Sequence, residues 1–277
     1  MPTYLEDTLD KADSYLENGK ILDAEKIFRA VLVAFPESER AAEGFKKVQQ
    51  TAHCTPSPGS DPSQFKLKEV IKLYNQGRLK EVIQMAEEII LQSAPNIMLY
   101  NLIAAANAGL RNLNQAIENF QKVLEINPQN AETYYNIGNI YNQKKDFDEE
   151  IESYKKALSI KPDYPEVYNN IGIALKAKGD VSEAIEQFTS AINMKPDFAE
   201  ALYNLGVALQ ETGDLTNSIK RYKQAFEIKP NYFKAHFNMG NALHENCELD
   251  AAIESYKQAI KIKPEHAEAH YNLGLAL

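Results

Sequence analysis

Apolar residues recur along this chain at helical spacing, in short runs nested within a longer period. In the stretch PEVYNNIGIALKAKGDVSEAIEQFTSAINMKPDF, Tyr168, Ile171 and Leu175 share one helical face. Ala184, Ile185, Phe188, Ala191 and Ile192 share another, with polar residues between them. Lys178-Gly179-Asp180 divides the two runs, because glycine suits the left-handed end of one helix and a polar turn opens the next. Pro196 follows the second run, where a ring without an N–H cannot extend a helix. The pattern predicts a helical hairpin.

The hairpin repeats. Proline stands at Pro128, Pro162, Pro196, Pro230 and Pro264, a constant step of 34 residues (128 to 162, and so on). Gly138, Gly172, Gly206, Gly240 and Gly274 keep the same step, as do Ala157, Ala191, Ala225 and Ala259. So do the aromatic residues Phe120, Tyr154, Phe188, Tyr222 and Tyr256. Gly172 on the first helix and Ala184 on the second are small, as two closely approaching backbones require. With small residues, aromatic and proline at these offsets, the unit resembles the tetratricopeptide repeat (TPR). The resemblance covers residues 63–277 and, less fully, 5–38. It implies an all-α fold, a right-handed superhelical TPR solenoid of antiparallel helix pairs.

Units begin at Ser63, Ile97, Ala131, Pro165, Ala199, Phe233 and Ala267, giving six full repeats and the first helix of a seventh. The unit at Ser63 is degenerate, with Lys66 and Glu69 at usually apolar positions and its proline one place late, at Pro95. Near the N-terminus Ala12, Tyr15, Gly19, Ala24, Phe28 and Pro36 fall in register, and a helix-like tail, ERAAEGFKKVQQ, follows. TAHCTPSPGSDPS then reads as a linker. The expected organisation is an N-terminal helical unit at 1–50, a linker at 51–62 and the array at 63–277. Glu150 departs from the repeat, standing where other units have Ala116, Ala184, Ser218 and Ala252. A carboxylate there must reach solvent or find a partner, so the repeat around it is expected to be loosened. Residues 267–277 form a first helix with no second helix to cover it, so Leu273 and Leu277 are expected to face water.

The 277 residues are 44% hydrophobic and 25% charged, a globular composition, with a net charge of −9. An acidic chain without a basic stripe does not suit nucleic acid. No apolar run is long enough to span a membrane, and the first residues carry no secretory signal, so a soluble cytoplasmic protein without membrane contact is expected. Cys54 and Cys247 make neither a disulfide framework nor a zinc site.

The resemblance places ligands in a concave groove lined by first helices. Asn136, Asn170, Asn204, Asn238 and Asn272 each precede a repeat glycine by two residues and share one helical face. An asparagine amide matches the C=O and N–H of a peptide backbone. With repeats about 10 Å apart and an extended chain rising about 3.3 Å per residue, one asparagine meets roughly every third ligand residue. The row resembles the asparagine ladder in the TPR region of O-linked N-acetylglucosamine transferase, which implies an extended protein or peptide ligand. Tyr135, Tyr203, Phe237 and Tyr271 stand beside it, interrupted by Asn169. The alternative for both rows is internal, with hydrogen bonds and packing between neighbouring repeats. The charged clamp of chaperone-binding TPR proteins is missing, since Tyr135, Asn169, Tyr203 and Phe237 stand where that clamp needs lysine.

Catalytic motifs are lacking: there is no G-x-S-x-G, P-loop, G-x-G-x-x-G or H-E-x-x-H. His266 and His270 have a spacing that two metal ligands can use, but no cysteine or carboxylate partner is evident. His236 and His270 fall where Tyr134, Tyr168 and Leu202 stand elsewhere and are expected to fill the core between repeats. His244 and Cys247 are three apart at a helix end, where a lone cysteine is expected to be inert. No enzyme, metal or cofactor is expected. The leading reading is a protein-interaction scaffold that binds an extended peptide. Two others stand beside it: the substrate-recognition arm of a larger glycosyltransferase, sulfotransferase or oxygenase cut at Leu277, and a homo-oligomer formed through the uncapped C-terminal repeat.

Overall fold

The computed structural model describes residues 3–18, 20–34, 38–52, 62–92 and 96–277. Among these are sixteen α-helices and no strand. No helix among the described residues is long and apolar enough to cross a membrane. The chain divides into two compact units, Met1–Ala106 and Asn107–Leu277. That division falls later than the expected joint at 51–62, most of which lies outside the described residues, together with Cys54.

The first unit holds α1 (Thr3–Glu17), α2 (Ile21–Ala34), α3 (Glu39–Ala52), α4 (Pro62–Asn75), α5 (Leu79–Gln92) and α6 (Ile97–Gly109) as far as Ala106. α1, α2 and α3 all contact one another, around Leu9, Ala12, Ala24, Phe28, Val31, Ala41 and Val48. Arg40 on α3 bonds Glu6, Asp10 and Asp13, three carboxylates set on α1 at helical spacing. A separate core joins Val70 and Leu73 of α4, Val82, Ala86 and Ile89 of α5, and Leu99, Ile103 and Ala106.

The second unit is the regular array. It holds α7 (Leu113–Ile126), α8 (Ala131–Lys144), α9 (Phe147–Ile160), α10 (Pro165–Lys178), α11 (Val181–Met194), α12 (Ala199–Glu211), α13 (Leu215–Ile228), α14 (Phe233–Glu245), α15 (Leu249–Ile262) and α16 (Ala267–Ala276). First helices start where the sequence period places them. Gly179 ends α10 in the left-handed region, φ 96°, and its N–H reaches back to the carbonyls of Leu175 and Lys176. Gly213 repeats this conformation, while Lys145 and Cys247 adopt it without being glycine.

The glycine within α8, α10, α12 and α14 serves a different purpose. A Cβ at Gly138, Gly172, Gly206 or Gly240 would lie 2.4, 2.6, 2.7 or 2.6 Å from the ring of Tyr154, Phe188, Tyr222 or Tyr256. Each ring is buried and lies directly on backbone. At Gly274 nothing lies within 4 Å. The first helices α10, α12, α14 and α16 also contact one another in succession, while successive second helices show no comparable contact. The array thus closes up on its first-helix side. Of the C-terminal apolar residues, Leu277 is exposed as expected, together with Tyr271 and Leu275. Leu273 instead packs against the last core cluster.

Glu150 does not open its repeat. Only 1% exposed, it accepts a hydrogen bond from Asn142 Nδ2 at 2.9 Å through Oε1, while Oε2 is buried without a partner. The Gly138–Tyr154 approach beside it is as close as in any other repeat. Ser218 at the matching position satisfies itself by donating to the Gly206 carbonyl at 2.8 Å. Burial pushes the Glu150 carboxyl up to about 7, against the opposing pull of the Asn142 bond.

Two predictions follow from this packing. Gly206→Ala forces the ring of Tyr222 to move and is expected to cost about 1–3 kcal/mol in urea unfolding. Gly274→Ala, with open space around it, should leave stability unchanged or slightly raised. The second prediction concerns pH. The folded state keeps the Glu150 proton between about pH 4.5 and 7, where the unfolded chain releases it. Stability from this group is therefore complete below about 4.5 and is lost as pH rises through 7. Glu150→Gln keeps an acceptor for Asn142 but cannot ionise. It should exceed wild type by up to about 3 kcal/mol at pH 8 and match it near pH 4.5; equal melting curves at both pH values would contradict this.

Candidate peptide-binding groove

The five asparagines lie on α8, α10, α12, α14 and α16, and all are half-buried. Four of them spend one amide N–H inside the protein, on the preceding repeat. Asn170 donates to the Tyr154 hydroxyl at 3.3 Å, Asn204 to Asn169 Oδ1 at 2.9 Å, Asn238 to the Tyr203 hydroxyl at 3.0 Å and Asn272 to Asn241 Oδ1 at 2.9 Å. Asn136 makes no side-chain hydrogen bond among the described residues. An amide has two N–H groups and a carbonyl, so one internal bond fixes each side chain and leaves further hydrogen-bonding capacity.

Three repeats are joined head to tail by these bonds. Asn204 donates to Asn169, Asn169 to Asn170 at 3.5 Å, Asn170 to Tyr154, and Tyr154 to Asn139 at 2.7 Å. Asn169 is 2% exposed, which makes it a buried link in this chain where Tyr135, Tyr203, Phe237 and Tyr271 stand in four other repeats. Burial raises the Tyr154 hydroxyl well above the ordinary tyrosine value, so it stays a donor.

The aromatic row packs internally. Tyr135 lies between Tyr154 and Tyr164, with ring centroids 5.8 and 5.3 Å away, and Tyr203 lies between Tyr222 and Tyr232 at 5.9 and 5.2 Å. Phe237 is buried against Phe233, Tyr256 and His266. Only Tyr271 is exposed, at 66%. Three of these four residues therefore support the groove wall, and one offers a free ring.

Sequence reasoning missed Asn139, Gln210 and Asn241. Tyr154 donates to Asn139, Tyr222 to Gln210 at 2.9 Å and Tyr256 to Asn241 at 2.9 Å. The rings without hydroxyls, Phe120 and Phe188, belong to repeats with Ala105 and Ile173 where Asn139 and Asn241 stand. The signal was present: a hydroxyl appears only in repeats that place an amide one or four residues after the glycine.

The histidines serve the turns. His236 bonds the Pro230 carbonyl at 3.0 Å and stacks on Phe226, packing between repeats as expected. His270 bonds the Pro264 carbonyl at 2.7 Å but is exposed, so it fills no core. The Nδ1 of His266 accepts the Ala269 N–H at 3.3 Å, capping α16. Cys247 is exposed.

Comparison with known proteins agrees with this architecture. The TPR repeat family matches residues 112–145, 138–179, 174–213, 209–246 and 248–277, and the tetratricopeptide repeat matches 9–44. No curated protein matches the chain. Among solved structures, the crystal structure of MamA is 26% identical with a TM-score of 0.56, covering 60% of this chain and 97% of that one. YrrB, titled a TPR protein with an unusual peptide-binding site, is 22% identical with a TM-score of 0.57, covering 67% and 96%. The APC/C hetero-tetramer Cut9-Hcn1 is 16% identical with a TM-score of 0.62, covering 98% and 55%. The last two likenesses concern the fold alone.

The asparagine bonds predict unequal costs. Asn204→Ala strands the buried Asn169 carbonyl and should lower stability by about 1–3 kcal/mol in urea unfolding. Asn136→Ala, which breaks no internal bond, should change it by less than about 0.5 kcal/mol.

Proposed function

This chain belongs to the tetratricopeptide repeat family, and from that premise we propose that it is a protein-interaction scaffold holding an extended segment of another protein along its row of asparagines. One observation carries the reading. Asn170, Asn204, Asn238 and Asn272 are each tied by one N–H to the preceding repeat, so their free donors and acceptors are held in place before a ligand arrives. Pre-ordered side chains lose little entropy on binding, which favours affinity from a small number of hydrogen bonds. The amides address a ligand's backbone more than its side chains, so the row suits extended segments of varied sequence. YrrB, whose title names a peptide-binding site, lends the reading support by likeness of fold.

The test uses twelve-residue random peptides displayed on phage, selected on the whole chain and resynthesised with a fluorescent label. Asn170, Asn204 and Asn238 changed together to Ala should weaken binding by one to two orders of magnitude in anisotropy, at about 1 kcal/mol per bond lost. The measurement is made well below the variant's melting temperature. Unchanged affinity would make the row purely structural.

A further inference from the structure

Along one edge of the first helices, carboxylates of successive repeats are held from the repeat before. Lys176 bonds Glu211 at 3.1 Å, an ammonium on a carboxylate. In the next rung Gln210 Nε2 bonds Glu245 Oε1 at 2.9 Å, so here a neutral amide stands where the first rung has a cation. Glu245 has no ion-pair partner among the described residues, and its charge is left uncompensated.

At that carboxylate the surface opens into a depression of about 210 Å³, lined by Asn241, His244, Glu245, Tyr256, Asn272 and Leu275. With a water occupying about 30 Å³, there is room for the end of a long side chain. Beside the amide donors of Asn241 and Asn272 and the His244 ring, its lining offers several acceptors. Asn241 Oδ1 already accepts from both Tyr256 and Asn272, which leaves the Asn272 carbonyl, the lone pairs of the Tyr256 hydroxyl and Glu245 as acceptors. Burial raises the Tyr256 hydroxyl and the charge of Glu245 adds to the rise, so the two lie within electrostatic reach of each other. Leu275, 59% exposed, supplies an apolar wall for an aliphatic stem.

We propose that this depression is a subsite for a basic side chain, arginine foremost, of the extended segment bound in the groove. The inference rests on the scaffold reading and adds to it a point of side-chain selection. Glu245 takes the ligand's cation as Glu211 takes Lys176 one rung earlier, and the planar fork of a guanidinium matches several acceptors at once. The backbone is held by amides, and the basic residue sets the register.

The same phage library of twelve-residue peptides is selected on the whole wild-type chain and on Glu245→Gln, which keeps the shape and the acceptor for Gln210. Wild type should enrich arginine or lysine at one register, and Glu245→Gln should lose that enrichment. A labelled wild-type-selected peptide should bind Glu245→Gln at least tenfold more weakly, whereas the same peptide with arginine replaced by methionine should bind both chains alike. Glu211→Gln, whose carboxylate is already paired, serves as the control and should leave affinity unchanged. Equal binding to wild type and Glu245→Gln, or no basic preference among recovered peptides, overturns the subsite and leaves the groove standing. Loss of binding in Glu245→Gln without loss in the asparagine triple variant supports the subsite and removes the asparagine row. Recovery of no peptide overturns both.

Discussion

The contact between a glycine on α8, α10, α12 and α14 and a ring on the helix that follows is the constraint from which the regular array follows. A side chain at Gly138, Gly172, Gly206 or Gly240 would have no room, because the ring of Tyr154, Phe188, Tyr222 or Tyr256 lies against the backbone there. That closeness sets the distance between paired helices and leaves each hairpin with apolar surface to bury against its neighbour. Stacking then becomes obligatory, since no hairpin buries its apolar surface alone.

The ring that sets the packing also reaches the first-helix face. Where it is tyrosine, its hydroxyl donates to Asn139, Gln210 or Asn241, all on first helices. Core and first-helix face are therefore joined by single side chains, and the row of amides rests on bonds rooted in the core. Asn169 shows how far this goes. It replaces a ring, is buried as fully as one, and links Asn170 to Asn204.

Glu150 shows how much the packing tolerates. A carboxyl at a position otherwise held by alanine or serine leaves the Gly138–Tyr154 contact intact, because the repeat accommodates it near-neutral and bonded to Asn142. The expected loosening is absent, and the carboxyl answers its burial with a raised proton affinity. Burying a charge costs more than holding a proton near pH 7, and the packed helices do not yield.

The 34-residue period alone determined the fold, the helix starts and the positions of the asparagine row, since spacing is a local property that one chain displays in full. The division of the chain near Ala106 was not legible in that period. Nor were the particular partners of the asparagines, whose internal bonding the sequence offered as an alternative, or the exposure of His270 where a core position was expected. Which N–H of an asparagine meets which neighbour depends on the rotation between stacked repeats, and residues about one period apart in sequence settle it in space. Gln210 and Glu245 are an instance: 35 residues separate them, and only stacking reveals that the carboxylate gains an amide in place of a cation.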